Sequence, residues 1–589
     1  MPQTLKIMGV HGLGDHRTSP WKEDWEQTVR EVFAQKSGVQ LEFCFVSYDD
    51  IFASVDLSVW ESMQAVAKLA SSAVSTTVSG RRGVLGDISD KIKWTAGYVV
   101  AWLEDEEFKK RSRKLVLDAV AKDKPDIILA HSLGSLITYN AFSHRDATTA
   151  SLKDVLAKAR YVSLGSQIGN PFVVRNLTNG RIEPLPVREW YHLYNKQDDV
   201  FTAPIRLWEA NNFRQVEAPF DIPGMADHEA TEYLKHRNTI DQMWWPLLGG
   251  QRGGRAFGAR VSGARASARK REPRKPDKRA LLVGINNYPN AEDRLEGCVN
   301  DVFLMSSVLQ ECGFPPESIR VCLDERATAK GILERLQWLL DEPRAGEERV
   351  FFYSGHGARI PEYGENFEPD RQTESLVPWD FDWSREHAII DDQIFALYSQ
   401  LPYDTRFAMI LDCCHSGGMH RQGGARVRGL IPPDDIRHRE IRWDSASDMW
   451  VPRDFKRINA RFSSDEEVNK AYFGDNGTTA RIGRASRVRG QSQAQYRREK
   501  QQASAVGPYL PLIIEACAED QFSYEYRHGV TSYGAFTFAF AKRLRKAKRI
   551  SFERLVSGTR DELQDLGYQQ TPQILGPSRI TSARVPWQD

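Results

Sequence analysis

Two short stretches of the chain place a thiol and an imidazole directly after apolar runs. ILDCCHSGG (410–418) continues an apolar run into Cys413, Cys414 and a Ser-Gly-Gly turn, and VFFYSGHGARI (350–360) leads into His356 between two glycines. Apolar runs that end in turn residues are typical of buried strands. A thiolate is a strong nucleophile, and a neighbouring imidazole can hold its proton. The two stretches therefore predict a nucleophilic Cys/His site where two strands end.

A serine occupies a comparable position in the N-terminal half. DIILAHSLGSLITYNAF (126–142) reads as strand, turn and helix with Ser132 at the turn, and AHSLG matches the G-x-S-x-G nucleophile elbow with Ala130 for the first glycine. The flanking residues must be small because the elbow holds the serine in a strained backbone conformation. Asp198 and His228 follow, in the order serine, acid, histidine. This order predicts a second, serine-based nucleophilic site.

The motif YSGHG followed by DCCHSGG resembles the caspase-like cysteine peptidases, and the metacaspase branch most closely. The resemblance covers about residues 279–425 and 507–575. It implies that His356 is the general base and Cys414 the nucleophile. It also implies that the backbone N–H groups of Gly357 and Cys414 stabilise the developing oxyanion.

The same resemblance implies a substrate preference. Metacaspases accept Arg or Lys at P1, the residue before the cut bond, in an acidic pocket whose residues correspond here to Asp301, Ser354 and Asp412. Two carboxylates and a hydroxyl suit a guanidinium or an ammonium group. Because buried acids without a cation are costly, the pocket should prefer a basic ligand. The expected partners are proteins with Arg or Lys at P1, including the chain's own linker or insert.

Calcium is the one metal ion whose binding the resemblance raises as a possibility. Asp391 and Asp392 match two of the carboxylate positions that calcium-binding metacaspases use, whereas the other positions fall on Thr373 and about Arg421. Neither of these two can serve a hard cation in the same way. We expect a peptidase that requires no cofactor, with calcium activation as the alternative.

The N-terminal half resembles the α/β-hydrolases of the lipase and esterase kind. This resemblance implies Ser132 as nucleophile, His228 as base and Asp198 as the acid that orients the base. NKQDDV is similar to that family's N-x-x-D-P-V, which favours Asp198, although Asp199 stands where the family often has proline. Two other histidines are alternatives for the base: His192 and His236.

The resemblance also assigns the oxyanion donors of this serine site. The His-Gly turn at the end of the first strand implies one N–H from Gly12 or Leu13, and the second comes from Leu133, directly after the nucleophile. The expected substrate is a small ester or lipid.

The elements that position these residues alternate between strand and helix, which predicts mostly parallel sheets flanked by helices. We expect an α/β-hydrolase fold over 1–248. Residues at about 51–122 are predicted to form a helical lid over a pocket; the alternative is that they are surface helices of an ordinary core. A basic flexible linker follows at 249–278. A caspase-like α/β fold with a mostly parallel sheet spans 279–589, interrupted by a polar insert at about 420–506.

Composition narrows the class of protein further. A chain of 589 residues favours more than one domain, and a net charge of +1 argues against a dedicated nucleic-acid binder, although the linker is basic. The 7 cysteines show no metal-binding or disulfide spacing. No signal peptide and no long apolar stretch is recognisable. These features predict a cytoplasmic protein without a transmembrane segment.

Together, the motifs predict a metacaspase-like cysteine endopeptidase fused to a serine hydrolase. The preferred hypothesis is that proteolysis in the linker or in the arginine-rich insert activates the hydrolase, and the architecture implies a bacterial stress or anti-phage role by resemblance. In one alternative the protease is the effector and the first domain recognises or docks. In another, both sites are catalytically inactive and the chain is a scaffold with a basic nucleic-acid-binding tether. The insert itself is either cut or left intact.

Overall fold

The computed structural model divides the chain into two compact units. Its described elements come from residues 3–170 and 183–247 in the first unit, and from residues 171–182 and 278–586 in the second. The structure describes residues 3–12, 19–34, 39–52, 98–103, 105–178, 180–196, 198, 202–207, 210–220, 222, 228–247, 278–361, 372–414, 426–430, 433, 441–444, 449–452, 508–518, 521–546 and 549–586.

Both units contain strands and helices. The strands are β1 (Gln3–Val10), β2 (Val39–Val46), β3 (Ile127–His131), β4 (Arg160–Leu164), β5 (Glu189–Tyr194), β6 (Phe213–Glu217), β7 (Lys278–Gly284), β8 (Ile319–Leu323), β9 (Glu348–Ser354), β10 (Gly357–Pro361), β11 (Gln372–Leu376), β12 (Ile389–Ile390), β13 (Arg406–Asp412), β14 (Ile441–Asp444), β15 (Met449–Pro452), β16 (Leu512–Glu515), β17 (Glu525–His528), β18 (Thr531–Gly534) and β19 (Gln573–Leu575). The helices are α1 (Trp21–Phe33), α2 (Asp49–Phe52), α3 (Glu106–Asp123), α4 (Leu133–Ser143), α5 (Ala150–Leu156), α6 (Pro171–Thr178), α7 (Ala230–Lys235), α8 (Arg237–Thr239), α9 (Trp245–Leu247), α10 (Cys298–Glu311), α11 (Ala329–Leu339), α12 (Asp391–Tyr398), α13 (Ala535–Lys546), α14 (Phe552–Asp565) and α15 (Ser578–Thr581).

The first unit is built on a six-stranded sheet in the order β2-β1-β3-β4-β5-β6, and all of its strand pairs are parallel. Strand β3 is buried along almost its whole length, as expected for a central parallel strand covered on both faces. One core cluster combines Ile7 and Leu129 of the sheet with Trp25 of α1 and Tyr233 of α7. The predicted parallel sheet is therefore present in this unit.

Only the two ends of the predicted lid, residues 51–52 and residues 98–103 with 105–122, lie within the described residues. Helix α3 buries Phe108, Val116 and Val120 and packs beside α4, on the way into β3. Residues 98–103 are also helical. Because 53–97 lie outside the described residues, the lid stays a prediction.

The second unit contains another six-stranded sheet, in the order β19-β16-β13-β9-β7-β8. All of its strand pairs are parallel except β16 with β19, which is antiparallel. Alternate residues of β9 belong to two separate cores: Phe351 packs with α11 and α12 on one face, and Val350 packs with α10, α13 and α14 on the other. This two-sided burial explains the uninterrupted apolar runs of its strands, and it confirms the mostly parallel α/β arrangement predicted for this half.

Smaller elements complete the second unit. Strands β10, β11 and β12 form an antiparallel sheet, and β14 pairs with β15 inside the predicted insert. The unit also includes residues 171–182, which the predicted boundaries assigned to the first domain. Within it, the Arg181 guanidinium donates to the carbonyls of Ser399 and Leu401. Packing of this short segment carries no sequence signal of its own, so the boundary could not be read from the motifs.

Candidate active sites

The cysteine and the histidine of the second unit leave the same edge of the sheet. Strands β9 and β13 are parallel neighbours, with Ser354 paired to Asp412 at their ends. His356 and Cys414 each follow two residues beyond that pair. The N–H of Gly355 also donates to the carbonyl of Asp412. The sheet register thus brings the two predicted catalytic residues to adjacent strand ends.

The His356 ring is held by a backbone carbonyl. Its Nε2 lies 2.7 Å from the carbonyl oxygen of Asp293, and its backbone N–H donates to the Tyr288 hydroxyl at 2.9 Å. Only a protonated Nε2 can donate to a carbonyl, so Nδ1 carries the lone pair of the neutral ring. This Nδ1 is buried and has no hydrogen-bond partner among the described residues. Burial lowers the pKa of His356 to about 4, which leaves the ring neutral and able to accept a proton.

The predicted oxyanion donors meet at one atom of the chain itself. The N–H of Cys414 donates to the carbonyl oxygen of Arg428 at 3.1 Å, and the N–H of Gly357 donates to the same oxygen at 3.2 Å. Burial raises the pKa of the Cys414 thiol to about 12, so the thiol is protonated in this state. Two convergent N–H groups are the arrangement that stabilises a carbonyl oxygen as it becomes an oxyanion.

The Arg428 side chain fills the predicted acidic pocket. Its guanidinium lies 2.9 Å from Asp301 Oδ2 and 3.2 Å from Asp412 Oδ2, and it donates to Ser354 Oγ at 2.7 Å. All four side chains are fully buried. Glu525 adds a more distant carboxylate at 3.8 Å. The three residues predicted to bind a basic P1 side chain therefore surround an arginine of the same chain.

Further hydrogen bonds hold the two pocket carboxylates in place. Asp301 accepts from the Ser354 hydroxyl and from the N–H of Gly534, at 2.8 Å each. Asp412 accepts from the hydroxyls of Ser523, at 2.7 Å, and Thr537, at 2.6 Å. Burial raises the pKa of Asp301 to about 6, and the Arg428 guanidinium acts in the opposite direction. The pocket is a preorganised acidic site whose charge needs a cation.

Position 534 must be glycine for the pocket to accept a guanidinium. A Cβ built on Gly534 would lie 2.1 Å from Asp412 Oδ2 and 2.5 Å from an Arg428 nitrogen. No side chain can occupy that space without displacing the ion pair.

Sequence reasoning missed several contributors to this site. Arg428 lies outside the stretches that the resemblance covers. Ser523, Gly534 and Thr537 lie inside them, but no role was assigned to these residues, and the Asp293 contribution is a backbone carbonyl. An Arg-Gly pair shortly after the cysteine motif was the available signal for Arg428. Cys413, the neighbour of the predicted nucleophile, packs in the apolar core.

The serine of the first unit lies on a strained turn between β3 and α4. Ser132 has φ +49° and ψ −127°, a conformation that is rare for residues other than glycine. Its backbone N–H donates to the Leu164 carbonyl, and its Oγ accepts from Gln167 Nε2 at 3.4 Å. The strand, turn and helix around Ser132 match the predicted elbow, and Leu133 begins helix α4 directly after it.

The predicted base and acid of the serine site are in contact. His228 Nδ1 lies 2.7 Å from Asp198 Oδ2, and the Tyr233 hydroxyl donates to the same oxygen at 2.6 Å. Both His228 and Asp198 are buried. His131, next to Ser132, lies with its Nε2 2.7 Å from the His228 carbonyl oxygen and so ties the two segments together. Sequence reasoning missed His131 and Tyr233, although the first stood inside the AHSLG motif.

The predicted oxyanion turn also reaches the serine. A Cβ built on Gly12 would lie 3.0 Å from the Ser132 Cβ, so the Gly12 backbone approaches the nucleophile closely. Leu13 lies outside the described residues, as does Asp199, the alternative acid. The alternative bases have other partners: His192 contacts Ser163 and the Ala203 carbonyl, and His236 caps helix α8, where its Nδ1 accepts from the Asn238 N–H.

No candidate metal site can be built from the described side chains, which contain no suitable group of three His, Cys, Asp or Glu residues. Asp391 and Asp392 open helix α12, but their side chains lie outside what the structure describes. Calcium binding therefore stays a prediction. Within the described ranges, no helix is both long and apolar enough to cross a bilayer.

Comparison with known proteins agrees with this geometry. The model of the caspase domain family matches residues 277–581. Metacaspase-9 of Arabidopsis thaliana is 31% identical over 317 residues, which cover 50% of this chain and 91% of the relative. Metacaspase-5 of Trypanosoma brucei brucei is 33% identical over 221 residues, 36% of this chain and 43% of the relative. The chain belongs to the caspase domain family of cysteine peptidases, and the two relatives named above are metacaspases.

A solved structure, caspase-1 from Spodoptera frugiperda, aligns over 54% of this chain and 91% of its own, with 12% identity and a TM-score of 0.30. A TM-score of this size adds nothing to the family assignment. The matched residues all lie in the second unit and its linker, so the family statement concerns that half of the chain.

Proposed function

We propose that the second unit is a cysteine endopeptidase that cleaves after Arg, and by the same charge pattern after Lys. Cys414 is the nucleophile and His356 is the general base. One observation carries the proposal: the Arg428 guanidinium lies between Asp301 and Asp412, while its carbonyl oxygen accepts from both predicted oxyanion donors. An arginine held in this way is posed as a substrate.

The arrangement supports a complete acyl-transfer step. Cys414 Sγ attacks the P1 carbonyl carbon as its proton passes to His356 Nδ1, and the N–H groups of Gly357 and Cys414 stabilise the oxyanion. The imidazolium then gives its proton to the leaving amine, and the peptide bond breaks. Water, deprotonated by the same ring, hydrolyses the thioester. The Asp293 carbonyl keeps Nε2 protonated and the ring correctly oriented throughout.

Charge decides between basic and acidic P1 residues. A P1 aspartate would bring another carboxylate beside Asp301 and Asp412, both fully buried. Like charges at that distance in a dry pocket are strongly unfavourable. A P1 lysine keeps the charge but loses the forked geometry of the guanidinium, so we expect it to be accepted more weakly than arginine.

Two peptides that differ only at P1 test this proposal. We expect the purified chain to cleave the Arg peptide and to leave the Asp peptide intact, with the Lys peptide between them. The Cys414→Ala chain is the control for contaminating peptidases. Faster cleavage after Asp, or cleavage that persists in the control, would overturn the assignment.

A second function, for the first unit, is favoured by its own observation. The strained Ser132 backbone together with the His228–Asp198 contact supports a serine hydrolase acting on a small ester or lipid. In this proposal His228 is the base, Asp198 orients it, and the N–H groups of Leu133 and of the Gly12–Leu13 turn stabilise the oxyanion. A fluorophosphonate probe should label the wild-type chain at Ser132 and leave Ser132→Ala unlabelled. Equal labelling of both would end this proposal.

We further infer that proteolysis controls the serine site, since one chain carries both nucleophiles. Stronger probe labelling of Ser132 after the chain is cut would support this order of events. Equal labelling before and after the cut would argue against this control. No labelling of Ser132 in either state, with peptidase activity retained, would favour the protease as effector and the first unit as a docking module. Absence of both activities would favour a retired scaffold with a basic nucleic-acid-binding tether. A bacterial stress or anti-phage role remains an expectation from the architecture.

A further inference from the structure

Residues 426–430 form a short segment that lies in the peptidase cleft and is held there by isolated β-bridges. The Arg428 N–H donates to the Ser523 carbonyl at 3.0 Å, and the Glu525 N–H donates to the Arg426 carbonyl at 3.0 Å. Val427 forms an antiparallel bridge with Tyr524 between these two bonds. Addition of an extended segment to a strand edge is the way that many proteins bind peptides.

The other side of the Arg428–Gly429 bond is fixed equally well. The Leu430 N–H donates to the Gly357 carbonyl at 3.0 Å, and Gly429 forms a parallel bridge with Gly357. The chain is therefore held on both sides of one peptide bond. That bond carries the carbonyl to which Gly357 and Cys414 donate.

Arg428 differs in solvent exposure from Arg426, the other basic residue of the segment. The Arg428 side chain is fully buried among carboxylates, whereas Arg426 is exposed and has one of its nitrogens 3.8 Å from Glu296. A surface arginine has no need of a dry acidic pocket, and such a pocket is costly without a cation. The pocket and the segment are thus complementary at position 428.

We propose that the Arg428–Gly429 peptide bond is the self-cleavage site of this chain, cut by Cys414 of the same molecule. The proposal rests on the function proposed above, because it requires the same nucleophile and the same P1 pocket. It names which of the many arginines of the insert is cut. The products are residues 1–428 and 429–589.

Self-cleavage of the Arg428–Gly429 bond consumes one water molecule and needs no other co-reactant. Cys414 Sγ bonds to the Arg428 carbonyl carbon as its proton moves to His356 Nδ1. The C–N bond to Gly429 breaks when His356 returns that proton to the glycine nitrogen, which becomes a new N-terminal amine. Water then adds to the thioester, releasing the Arg428 carboxylate and restoring the thiol.

The test is intact-mass analysis of the purified full-length chain over time, with sequencing of the new N-terminus. We expect a fragment that begins GLIPP, a cut that Cys414→Ala abolishes, and a half-time that does not change on tenfold dilution. Arg428→Ala should abolish this cut, Arg428→Lys should retain it at a lower rate, and Arg481→Ala, a matched arginine of the insert, should cut like wild type.

A second variant guards against misfolding of the Arg428→Ala chain. Gly429→Pro keeps the arginine in its pocket and changes only the bond, so we expect an intact, folded chain that is not cut there. Cleavage that depends on Cys414 but occurs at another arginine would overturn this inference and leave the proposed function standing. Loss of all cleavage, including that of the P1-Arg peptide, would instead overturn the proposed function.

Discussion

The two candidate sites hold the same kind of base in different ways. In the first unit, His228 is oriented by the buried carboxylate of Asp198, and the serine lies on a strained turn. In the second, His356 is oriented by the backbone carbonyl of Asp293. A serine hydroxyl is a far weaker acid than a thiol, so its base benefits from a carboxylate that stabilises the imidazolium. The comparison suggests that the nucleophile determines how much support the base needs.

The largest effect should come from removing each nucleophile in turn. Cys414→Ala should lower P1-Arg peptide cleavage by on the order of 10⁴-fold or more, and its fluorophosphonate labelling should equal that of the Gly429→Pro chain, which is also uncut. Ser132→Ala should do the reverse. Both activities are measured on the same preparations, and labelling is compared only between chains in the same state, cut or uncut. Loss of both activities from one substitution would mean that the sites are not chemically independent.

The next largest effect separates carboxylate support from carbonyl support. Asp198→Asn should lower serine-site turnover by roughly 10³- to 10⁴-fold, because the amide favours the wrong histidine tautomer. Asp293→Ala should leave peptidase turnover near wild type, since the carbonyl that contacts His356 belongs to the backbone. Probe-labelling rates and peptide turnover measure the two. A large loss in Asp293→Ala would show that its side chain, not its carbonyl, supports the base.

The third-largest effect should come from neutralising a carboxylate of the acidic P1 pocket. Asp301→Asn or Asp412→Asn should lower cleavage after Arg by roughly 150- to 5000-fold, because removing one partner of a buried ion pair costs about 3–5 kcal/mol. Glu525→Gln is the matched control, since its carboxylate lies 3.8 Å away and the amide oxygen can still accept the backbone N–H of Gly297. Equal losses in all three variants would argue for general misfolding of the pocket. Circular dichroism of each variant checks that outcome.

The pH dependence of self-cleavage should have two acid steps. Burial raises the pKa of Asp301 to about 6, so below that pH its carboxyl is increasingly neutral and holds the Arg428 guanidinium less well. Burial lowers the pKa of His356 to about 4, so below that pH the ring is protonated and cannot take the thiol proton. The rate should therefore fall as pH drops through 6 and vanish below 4. A rate that rises on acidification would contradict both assignments.

The smallest effect concerns the residue two before P1. Glu296 lies near Arg426, but the pair is exposed. Glu296→Gln should therefore reduce the preference for a basic residue at this position only roughly two- to fivefold, since exposed ion pairs contribute about 0.2–1 kcal/mol. Peptides with Arg or Ala two residues before the P1 arginine measure the ratio. An unchanged ratio would show that this contact does not guide substrate choice.

The local sequence predicted where the strands end and which candidate catalytic residues follow them, and it predicted little else about the two sites. Apolar runs into glycine-rich turns located Cys414, His356 and Ser132, because parallel strands end at a common edge wherever the sheet register allows. The orienting group of His356 could not be found, since a backbone carbonyl has no residue identity. Asp198 could be preferred over Asp199 only through a family resemblance.

Arg428 illustrates why the other contributors to the site could be identified only from the three-dimensional structure. The insert contains many arginines in a polar sequence, and the Arg-Gly pair at 428–429 is not enough to identify the one that enters the pocket, because Arg489 and Gly490 form another such pair. Its selection depends on strand pairing with Ser523 and Glu525, which are distant in the sequence. The same holds for residues 171–182, whose place in the second unit depends on tertiary contacts alone.

Affinity labelling tests the central claim most directly. The chain, incubated until self-cleavage is complete, is treated with two peptidyl chloromethyl ketones that differ only in Arg or Asp at P1, and the alkylated residue is mapped by mass spectrometry. The account predicts rapid alkylation of Cys414 Sγ by the Arg reagent and none by the Asp reagent, with Asp412→Asn labelled slowly. Equal labelling by both reagents, or alkylation of another cysteine, would contradict it.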